Sequence, residues 1–234
     1  AAGKVGGILD NSSRPTEFIL NNLKIQTNVI EASWLSGVKR LLFLGSSCIY
    51  PKFASQPICE EDLLTGELEK TNEWYAIAKI TGIKLCQAIR KEHNFDALSL
   101  MPTNLYGPND NYHPTRSHVM AAFLKRFKHA AFYNLDSVDC WGTGVPLREF
   151  LHVDDLASAV VFCLEYWDPE SESAPKDKNG EKINYLNVGF GKDISIKNLA
   201  ELIADLAGYK GKINWDKTKP DGTPKKLLNI DKIK

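Results

Sequence analysis

Apolar and polar residues follow two recurring patterns along the chain, and together they predict strands that alternate with helices. Short stretches rich in apolar residues lie at 39–44, 97–101 and 184–189, and they lead into glycine or turn-forming residues, as buried parallel strands commonly do. Longer stretches show helical periodicity at residues 15–37, 71–89, 118–131, 155–167 and 195–207. This order predicts an α/β fold built on a doubly wound parallel sheet.

Composition narrows the class of protein. A hydrophobic share of 43% over 234 residues can fill the core of one large or two small domains. The 29 basic and 29 acidic residues balance, so we expect neither nucleic acid nor an anionic membrane as a partner. No apolar run reaches the about 18 residues that a membrane-spanning helix needs. The five cysteines lack C-x-x-C spacing, which argues against a disulfide framework or a zinc site and favours the reducing cytoplasm.

One helix carries a candidate for proton transfer. Tyr75 and Lys79 stand four residues apart within residues 71–89, which puts both side chains on one helical face. The pKa of a tyrosine lies near ~10 in water, and an ammonium within a few ångströms lowers it by about 1–3 units toward neutrality. Gly82, further along the same face, would let the helix lie close against a sheet or a cofactor. Tyr–Lys pairs of this spacing also occur by chance, so the pair alone does not establish a catalytic site.

The segment before this helix strengthens the interpretation. The strand at residues 39–44 delivers Ser46 and Cys48 to its carboxyl end, the edge at which open α/β sheets bind ligands. A serine at a strand end followed by Tyr-x-x-x-Lys resembles the extended, nucleotide-sugar-modifying branch of the short-chain dehydrogenase/reductase superfamily. Further segments resemble the GDP-L-fucose synthase family more specifically, and they lie at residues 4–8, 45–51, 102–108 and 148–155. The resemblance extends from the first residue to the last.

The resemblance implies a domain organisation. Residues 1–115 would form an incomplete Rossmann-type dinucleotide-binding domain that carries the catalytic helix. Residues 116–234 would form mainly a smaller α/β domain for a nucleotide sugar, with segments at about 147–190 packing back on the first domain. The sequence contains no strand followed by G-x-x-G-x-x-G, so we expect the chain to lack about the first quarter and a short C-terminal tail of its relatives.

The family epimerises C3 and C5 of GDP-4-keto-6-deoxy-D-mannose and reduces C4 with NADPH, which gives GDP-L-fucose. By resemblance, Ser46 and Tyr75 would hold the C4 oxygen, with Lys79 at the nicotinamide ribose. Cys48 and His118 would exchange protons with the sugar, although a loop histidine is more often a plain surface residue. The implied NADP(H) contacts are Leu44, Gly45, Ser46, Ser47, Tyr75, Lys79, Pro102, Thr103, Asn104, Leu105 and His118.

The resemblance also implies a set of contacts for the GDP-sugar substrate, namely Arg126, Trp141, Arg148, Lys212, Asp221 and Lys226. Arginine suits a diphosphate because its planar guanidinium donates two parallel charge-assisted hydrogen bonds. The alternative for Arg148 is an ion pair with Glu149 or Asp154. The basic loop at residues 219–226 is also compatible with simple solvated charge.

Several positions keep two interpretations. Asn22 lies in an apolar helical stripe, so it is either buried with partners, where the superfamily ties it to a proton-relaying water, or merely solvated. The acidic run at residues 60–62 is predicted to be solvated. Apolar stripes on the 71–89 helix and the superfamily's habit of dimerising predict a homodimer, in which this helix and the preceding one form a four-helix bundle.

Two other functions stay open. One is another nucleotide-sugar epimerase or dehydratase of the same branch, such as a UDP-sugar 4-epimerase with tightly held NAD, which the combination of Cys48 and His118 disfavours. The other is an inert fragment that only binds, because the phosphate-cradling glycine loop is not in the sequence. NADP cannot be distinguished from NAD, since the residues that read the 2′-phosphate are expected in the lacking segment.

Overall fold

The computed structural model of the protein describes residues 3–114 and 116–234. Ala1, Ala2 and Thr115, which include both ends of the predicted first domain, lie outside the described residues. The helices are α1 (Ile8–Ser13), α2 (Pro15–Leu35), α3 (Glu73–His93), α4 (Val119–Phe132), α5 (Val153–Tyr166) and α6 (Ile196–Leu206). The strands are β1 (Arg40–Leu44), β2 (Asp96–Pro102), β3 (Asn104–Tyr106), β4 (Ser137–Trp141), β5 (Leu147–His152), β6 (Tyr185–Val188), β7 (Asp193–Ser195), β8 (Lys212–Asp216) and β9 (Lys225–Lys226). Short 3₁₀ turns occupy Ser47–Ile49 and Glu60–Asp62.

A parallel sheet of order β1-β2-β6 holds the first half of the chain together. Because the three strands run in one direction, their carboxyl ends lie at one edge of the sheet. Ile30 of α2 and Cys86 of α3 pack with Ala97 in one buried cluster. Leu156 of α5 packs with Leu98, the next residue of β2 and therefore on the opposite face of the sheet, in another cluster. Helices thus cover both faces, and the predicted doubly wound α/β fold is confirmed.

The strand β1 is less buried than its apolar sequence predicts. All five of its residues are half-buried, because among the described residues β1 pairs with β2 alone and forms an edge of the sheet. Its Phe43 ring packs against α3 at Gly82, where an added Cβ would lie 2.4 Å from Phe43 Cζ. The close approach predicted for Gly82 is therefore confirmed, and it fixes the height at which α3 crosses the strand.

The second half of the chain contains strands that its sequence pattern did not predict. β4 pairs in parallel with β8, and α4 and α6 pack over this pair through Phe127, Val138 and Ile203. β5 pairs in parallel with β3 and β9 and antiparallel with β7. These strands are short and half polar, so periodicity alone does not distinguish them from loops.

Two predictions about the domains stay predictions. They are the boundary between residues 115 and 116, and the packing of segments at about 147–190 on the first domain.

Asn22 is buried rather than solvated. Its Oδ1 accepts the Lys4 backbone N–H at 2.9 Å, and its Nδ2 donates to the Phe18 carbonyl at 2.7 Å and to the Lys4 carbonyl at 3.0 Å. The amide therefore ties the segment before α1 to α2. Its link to a relayed proton stays a prediction.

No helix in residues 3–114 or 116–234 is long and apolar enough to cross a bilayer.

The acidic run at residues 60–62 is not solvated as predicted. Glu60 is only 1% exposed, and its carboxylate accepts the backbone N–H of Asn187 at 2.9 Å. Burial raises the pKa of Glu60. Tyr50 donates its hydroxyl to Asn187 Oδ1 at 2.5 Å, so the segment after β1 and the 51–72 loop both attach to β6. Charge alone suggested a surface run, whereas the backbone N–H that donates to Glu60 belongs to Asn187, 127 residues away along the chain.

This network predicts a specific loss of stability. Tyr50→Phe should lower the free energy of unfolding by about 1–3 kcal/mol, because it leaves the buried Asn187 oxygen without its donor. Equilibrium urea denaturation followed by circular dichroism measures the change. Tyr185→Phe is the matched control, because Tyr185 is a half-buried tyrosine on β6, the strand that carries Asn187. It should change stability by less than about 0.5 kcal/mol. Equal losses in the two variants would contradict the assignment.

Candidate active site

The carboxyl edge of the central sheet opens into a cavity of about 1080 Å³. Its walls come from the ends of β1 and β2, the first turns of α3, the start of α4 and the loop at residues 219–226. Every predicted catalytic, cofactor-binding and substrate-binding residue lines it, with the exception of Lys212. Ordinary ligand cavities occupy about 300–1,000 Å³, so this one lies above the usual range for a single small ligand.

Lys212 lies away from the other predicted residues. It begins β8 and pairs in register with Ser137, whereas Trp141, which lines the cavity, pairs with Asp216. Four residues of strand separate the two levels by about 13 Å. Lys212 therefore lies outside the cavity that the other predicted residues line.

Lys79 is buried beneath the end of β1. Its Nζ donates to the Leu44 carbonyl at 2.8 Å and lies 4.9 Å from the centre of the Phe43 ring and 5.8 Å from that of the Tyr75 ring. Burial lowers the pKa of Lys79 to about 8. The ammonium thus ties the catalytic helix to the strand end while two of its three donors remain available to a ligand.

The pKa of Tyr75 moves in the direction opposite to the sequence prediction. Burial, and secondarily the neighbouring Cys48, raises it well above the ordinary tyrosine value, while a hydrogen bond with Ser46 opposes the rise. Lys79 contacts the face of the ring and donates to Leu44, so the cost of desolvating a phenolate outweighs the attraction of the ammonium. The correction means that Tyr75 is a protonated phenol in the protein by itself.

Cys48 lies in the 3₁₀ turn that follows β1. The Ser46 hydroxyl caps this turn by accepting the Cys48 backbone N–H at 3.2 Å. The Cys48 sulfur receives two donors, Asn72 Nδ2 and Lys226 Nζ, each at 3.5 Å. The resemblance implied Lys226 as a contact of the GDP-sugar, and neither contact with the sulfur was predicted. Asn72 holds the N-cap position of α3, yet its side chain makes no capping bond.

His118 is the residue before the first turn of α4, and it lines the same cavity. Burial lowers the pKa of His118, Asp110 opposes that change, and Lys226 adds to it. The imidazole is therefore mainly neutral near pH 7, with one nitrogen able to accept a proton and the other able to donate one.

Arg148 makes neither of the ion pairs that the sequence left open. Its Nη1 donates to the Leu147 carbonyl at 2.8 Å and its Nη2 to the Asp221 carbonyl at 3.2 Å. Glu149 is fully buried and accepts backbone N–H groups at Gly191 and Leu228, while Asp154 lies beside His152. The guanidinium thus meets neutral acceptors at the cavity wall, which leaves its charge available to an anion.

Two further predicted residues stack at the end of β4. The Arg126 guanidinium lies 5.2 Å from the centre of the Trp141 ring, within the range of a cation–π contact. Asp221 accepts from the Thr143 backbone N–H at 2.7 Å and from its hydroxyl at 2.8 Å. These contacts anchor the 219–226 loop beside the ring, and Thr143 is a supporting residue that the sequence analysis missed.

Comparison with known proteins agrees with this geometry. The model of the NAD dependent epimerase/dehydratase family matches residues 1–177. Putative GDP-L-fucose synthase 2 from Arabidopsis thaliana is 57% identical, over 100% of this chain and 67% of that protein. GDP-L-fucose synthase from Escherichia coli (strain K12) is 49% identical, over 100% of this chain and 71% of that protein. The structure of MlghC, a GDP-mannoheptose C4 reductase from Campylobacter jejuni with NADP bound, is 31% identical with a TM-score of 0.84, covering 100% of this chain and 72% of that one.

The matches and the geometry of the site indicate the same protein family. The family model covers more than half of the chain, and the relatives match it along its whole length. The predicted resemblance, first based on Ser46, Tyr75 and Lys79, is confirmed. The chain belongs to the NAD dependent epimerase/dehydratase family, and its relatives of 57% and 49% identity are named a putative GDP-L-fucose synthase and a GDP-L-fucose synthase.

Proposed function

We propose that the protein converts GDP-4-keto-6-deoxy-D-mannose to GDP-L-fucose, by epimerisation at C3 and C5 and NADPH-dependent reduction at C4. The observation that carries the proposal is the arrangement of Cys48 and His118 around one cavity with Ser46, Tyr75 and Lys79. Inversion beside a ketone needs groups that exchange protons and donors that hold the carbonyl oxygen. The activity named for the relatives supports the same reaction.

NADP(H) fits the part of the cavity around Lys79. The buried ammonium uses one of its three donors on Leu44, so the others suit the hydroxyls of a ribose. The backbone at residues 44–47 and 102–105, together with His118, would hold the nicotinamide end. NADPH, when bound, supplies the hydride for C4. The solved MlghC structure, which contains NADP, supports this choice of cofactor.

Epimerisation depends on the acidity of the hydrogens at C3 and C5, since both carbons adjoin the C4 carbonyl. We assign Cys48 and His118 to removing a proton on one face and returning one on the other. As the proton leaves, the electron pair of the C–H bond moves toward the C4 oxygen. Hydrogen bonds from Ser46 and Tyr75 would stabilise the resulting enolate.

Reduction needs a proton for the C4 oxygen, and Tyr75 is the group that would donate it. Burial raises the pKa of Tyr75, so the phenol holds its proton until the oxygen becomes basic. Lys79 lies 5.8 Å from the Tyr75 ring and would stabilise the phenolate that remains. The pKa of Lys79, at about 8, leaves it mostly charged at neutral pH.

The GDP end of the substrate would lie along β4, β5 and the 219–226 loop. Arg148 is assigned to the diphosphate because its guanidinium meets only carbonyl oxygens and keeps its charge free. Trp141 and Arg126 form a stacked surface for the nucleoside, and Asp221 and Lys226 border it. Lys212 is left out of this set because of its place at the other end of β8.

We also propose a homodimer that pairs α2 and α3 of two copies in a four-helix bundle. The half-buried Ile77 and Leu85 and the exposed Ala88 lie on α3, and a second copy would cover them. We assign the protein to the cytoplasm, where its five cysteines, all free thiols in the structure, would stay reduced.

The roles of Cys48 and Tyr75 predict separable defects. Cys48→Ser should slow epimerisation by about 10²-fold or more, since a serine hydroxyl is a far weaker base, while reduction of an already epimerised ketone stays within about threefold. Tyr75→Phe should instead damage the reduction severely. NMR of the sugar protons and NADPH absorbance measure the two half-reactions. Cys59→Ser, in the loop outside the cavity, is the control, and equal losses in both half-reactions for Cys48→Ser would refute the assignment.

The role of Arg148 predicts a defect confined to the nucleotide sugar. Arg148→Lys should weaken GDP binding by about 1–3 kcal/mol, because lysine cannot donate two parallel hydrogen bonds to a diphosphate. Titration calorimetry with GDP measures the effect, and NADPH affinity should not change. Arg40→Lys, at an arginine paired with Asp96 on β1, is the matched control. Unaltered GDP affinity in Arg148→Lys would rule out the clamp.

A further inference from the structure

Two side chains from distant parts of the chain meet at the sulfur of Cys48. Lys226 reaches it from β9 with Nζ at 3.5 Å, although the two residues are 178 positions apart in sequence. Asn72 reaches it from the start of α3 with Nδ2 at 3.5 Å. Both contacts direct hydrogen-bond donors at the sulfur, which is the arrangement that stabilises a thiolate rather than a thiol.

Lys226 is buried without a carboxylate partner. It is 8% exposed, and within the described residues it forms no ion pair with an acidic side chain, whereas its neighbour Lys225 pairs with Asp193 at 3.3 Å. Lys79 is equally buried, but its ammonium donates to the Leu44 carbonyl. A buried ammonium is costly unless an anion accompanies it. Among the described residues, the Cys48 sulfur is the group at hydrogen-bond range of Lys226 that can become that anion.

The Asn72 side chain also directs a hydrogen-bond donor at the Cys48 sulfur. Its Nδ2 donates to Cys48, while its Oδ1 is buried and has no partner among the described residues. An asparagine held this way gives up a hydrogen bond at its oxygen and keeps its donor on the sulfur. The orientation would be unfavourable beside a neutral thiol alone and is explained by a negative sulfur.

We propose that Lys226, with Asn72, holds Cys48 as a thiolate, so that Lys226 is a positioning residue for proton exchange at the sugar rather than a contact of the nucleotide alone. The inference deepens the proposed function and rests on it for its catalytic meaning. The ion pair itself, however, is a property of the protein without substrate. It can therefore be measured whether or not the sugar assignment is correct.

The other groups that face Cys48 are either positively charged or neutral. Arg148 on β5 interacts electrostatically with Cys48 and adds a second positive charge. Tyr75 on α3 is neutral, because burial raises its pKa. His118, just before α4, is mainly neutral, since burial and Lys226 lower its pKa.

The nearby carboxylates already have partners. Asp221 accepts the backbone N–H and the hydroxyl of Thr143, and Glu69 pairs with Lys52 at 2.8 Å. Their influence at Cys48 is reduced by these contacts. The cations that act on the sulfur are therefore Lys226, at hydrogen-bond distance, and Arg148, which interacts with it electrostatically.

The test is the rate at which Cys48 is alkylated by iodoacetamide, measured peptide by peptide with mass spectrometry. Only the thiolate reacts, forming a carbon–sulfur bond as iodide leaves. Lys226→Met should slow alkylation of Cys48 near pH 7 by about tenfold or more, because it removes the counter-ion. Lys226→Arg should restore the rate to within about threefold of wild type. Lys225→Met, which removes the adjacent charge, is the matched control and should leave the rate unchanged.

A second measurement uses the wild-type protein alone, in case Lys226→Met does not fold. Cys59 is the internal reference, because burial and the acidic residues around it raise its pKa. Near pH 7, alkylation of Cys48 should be at least about tenfold faster than that of Cys59, because only a thiolate reacts. Equal rates at the two cysteines in wild type, or an unchanged Cys48 rate in folded Lys226→Met, would overturn the proposal.

Different results would refute the proposed reaction and the proposed role of Lys226. If the protein does not act on the GDP-sugar but Lys226→Met slows alkylation, the ion pair stands and the assigned reaction falls. If the protein is active but Lys226→Met does not change the rate of Cys48 alkylation, the proposed reaction is supported and the proposed role of Lys226 is refuted.

Discussion

The hydrogen bond from the Lys79 ammonium to the Leu44 carbonyl is the constraint on which the site depends. It joins the buried face of α3 to the end of β1, and Gly82 permits this contact by letting Phe43 lie directly against the helix. Tyr75, one turn before Lys79, is thereby held beside the turn that carries Ser46 and Cys48. A side chain at residue 82 would lift the helix, and the tyrosine, serine and cysteine would no longer share a cavity wall.

Burial and charge give the residues of the cavity different roles. Desolvation keeps Tyr75 protonated and His118 neutral, so both can exchange protons without a net charge in the resting protein. The permanent positive charges, Arg148 and Lys226, meet carbonyl oxygens and a sulfur rather than carboxylates. Neither cation forms an ion pair with a carboxylate among the described residues, so both can attract an anion, which suits a substrate that carries a diphosphate.

Sequence reasoning reached the parts of the site that depend on local spacing. The four-residue separation of Tyr75 and Lys79 and the glycine after β1 are readable because a helix and a strand impose fixed geometry on neighbours. The burial of Glu60, the contact of Lys226 with Cys48 and the distance of Lys212 from the cavity depend on pairings across the whole chain, and no local pattern encodes them. The Tyr75 pKa was misjudged for a related reason, since spacing reveals a nearby charge but not the loss of water.

We propose that the side chains of this cavity exchange the hydrogens beside the C4 ketone. The most direct measurement is proton NMR of GDP-4-keto-6-deoxy-D-mannose incubated with the protein in D₂O and without NADPH. The signals of the C3 and C5 hydrogens should disappear as deuterium replaces them, since Cys48 and His118 would act before any hydride is transferred. Retention of both signals, in protein that still binds the GDP-sugar, would contradict it.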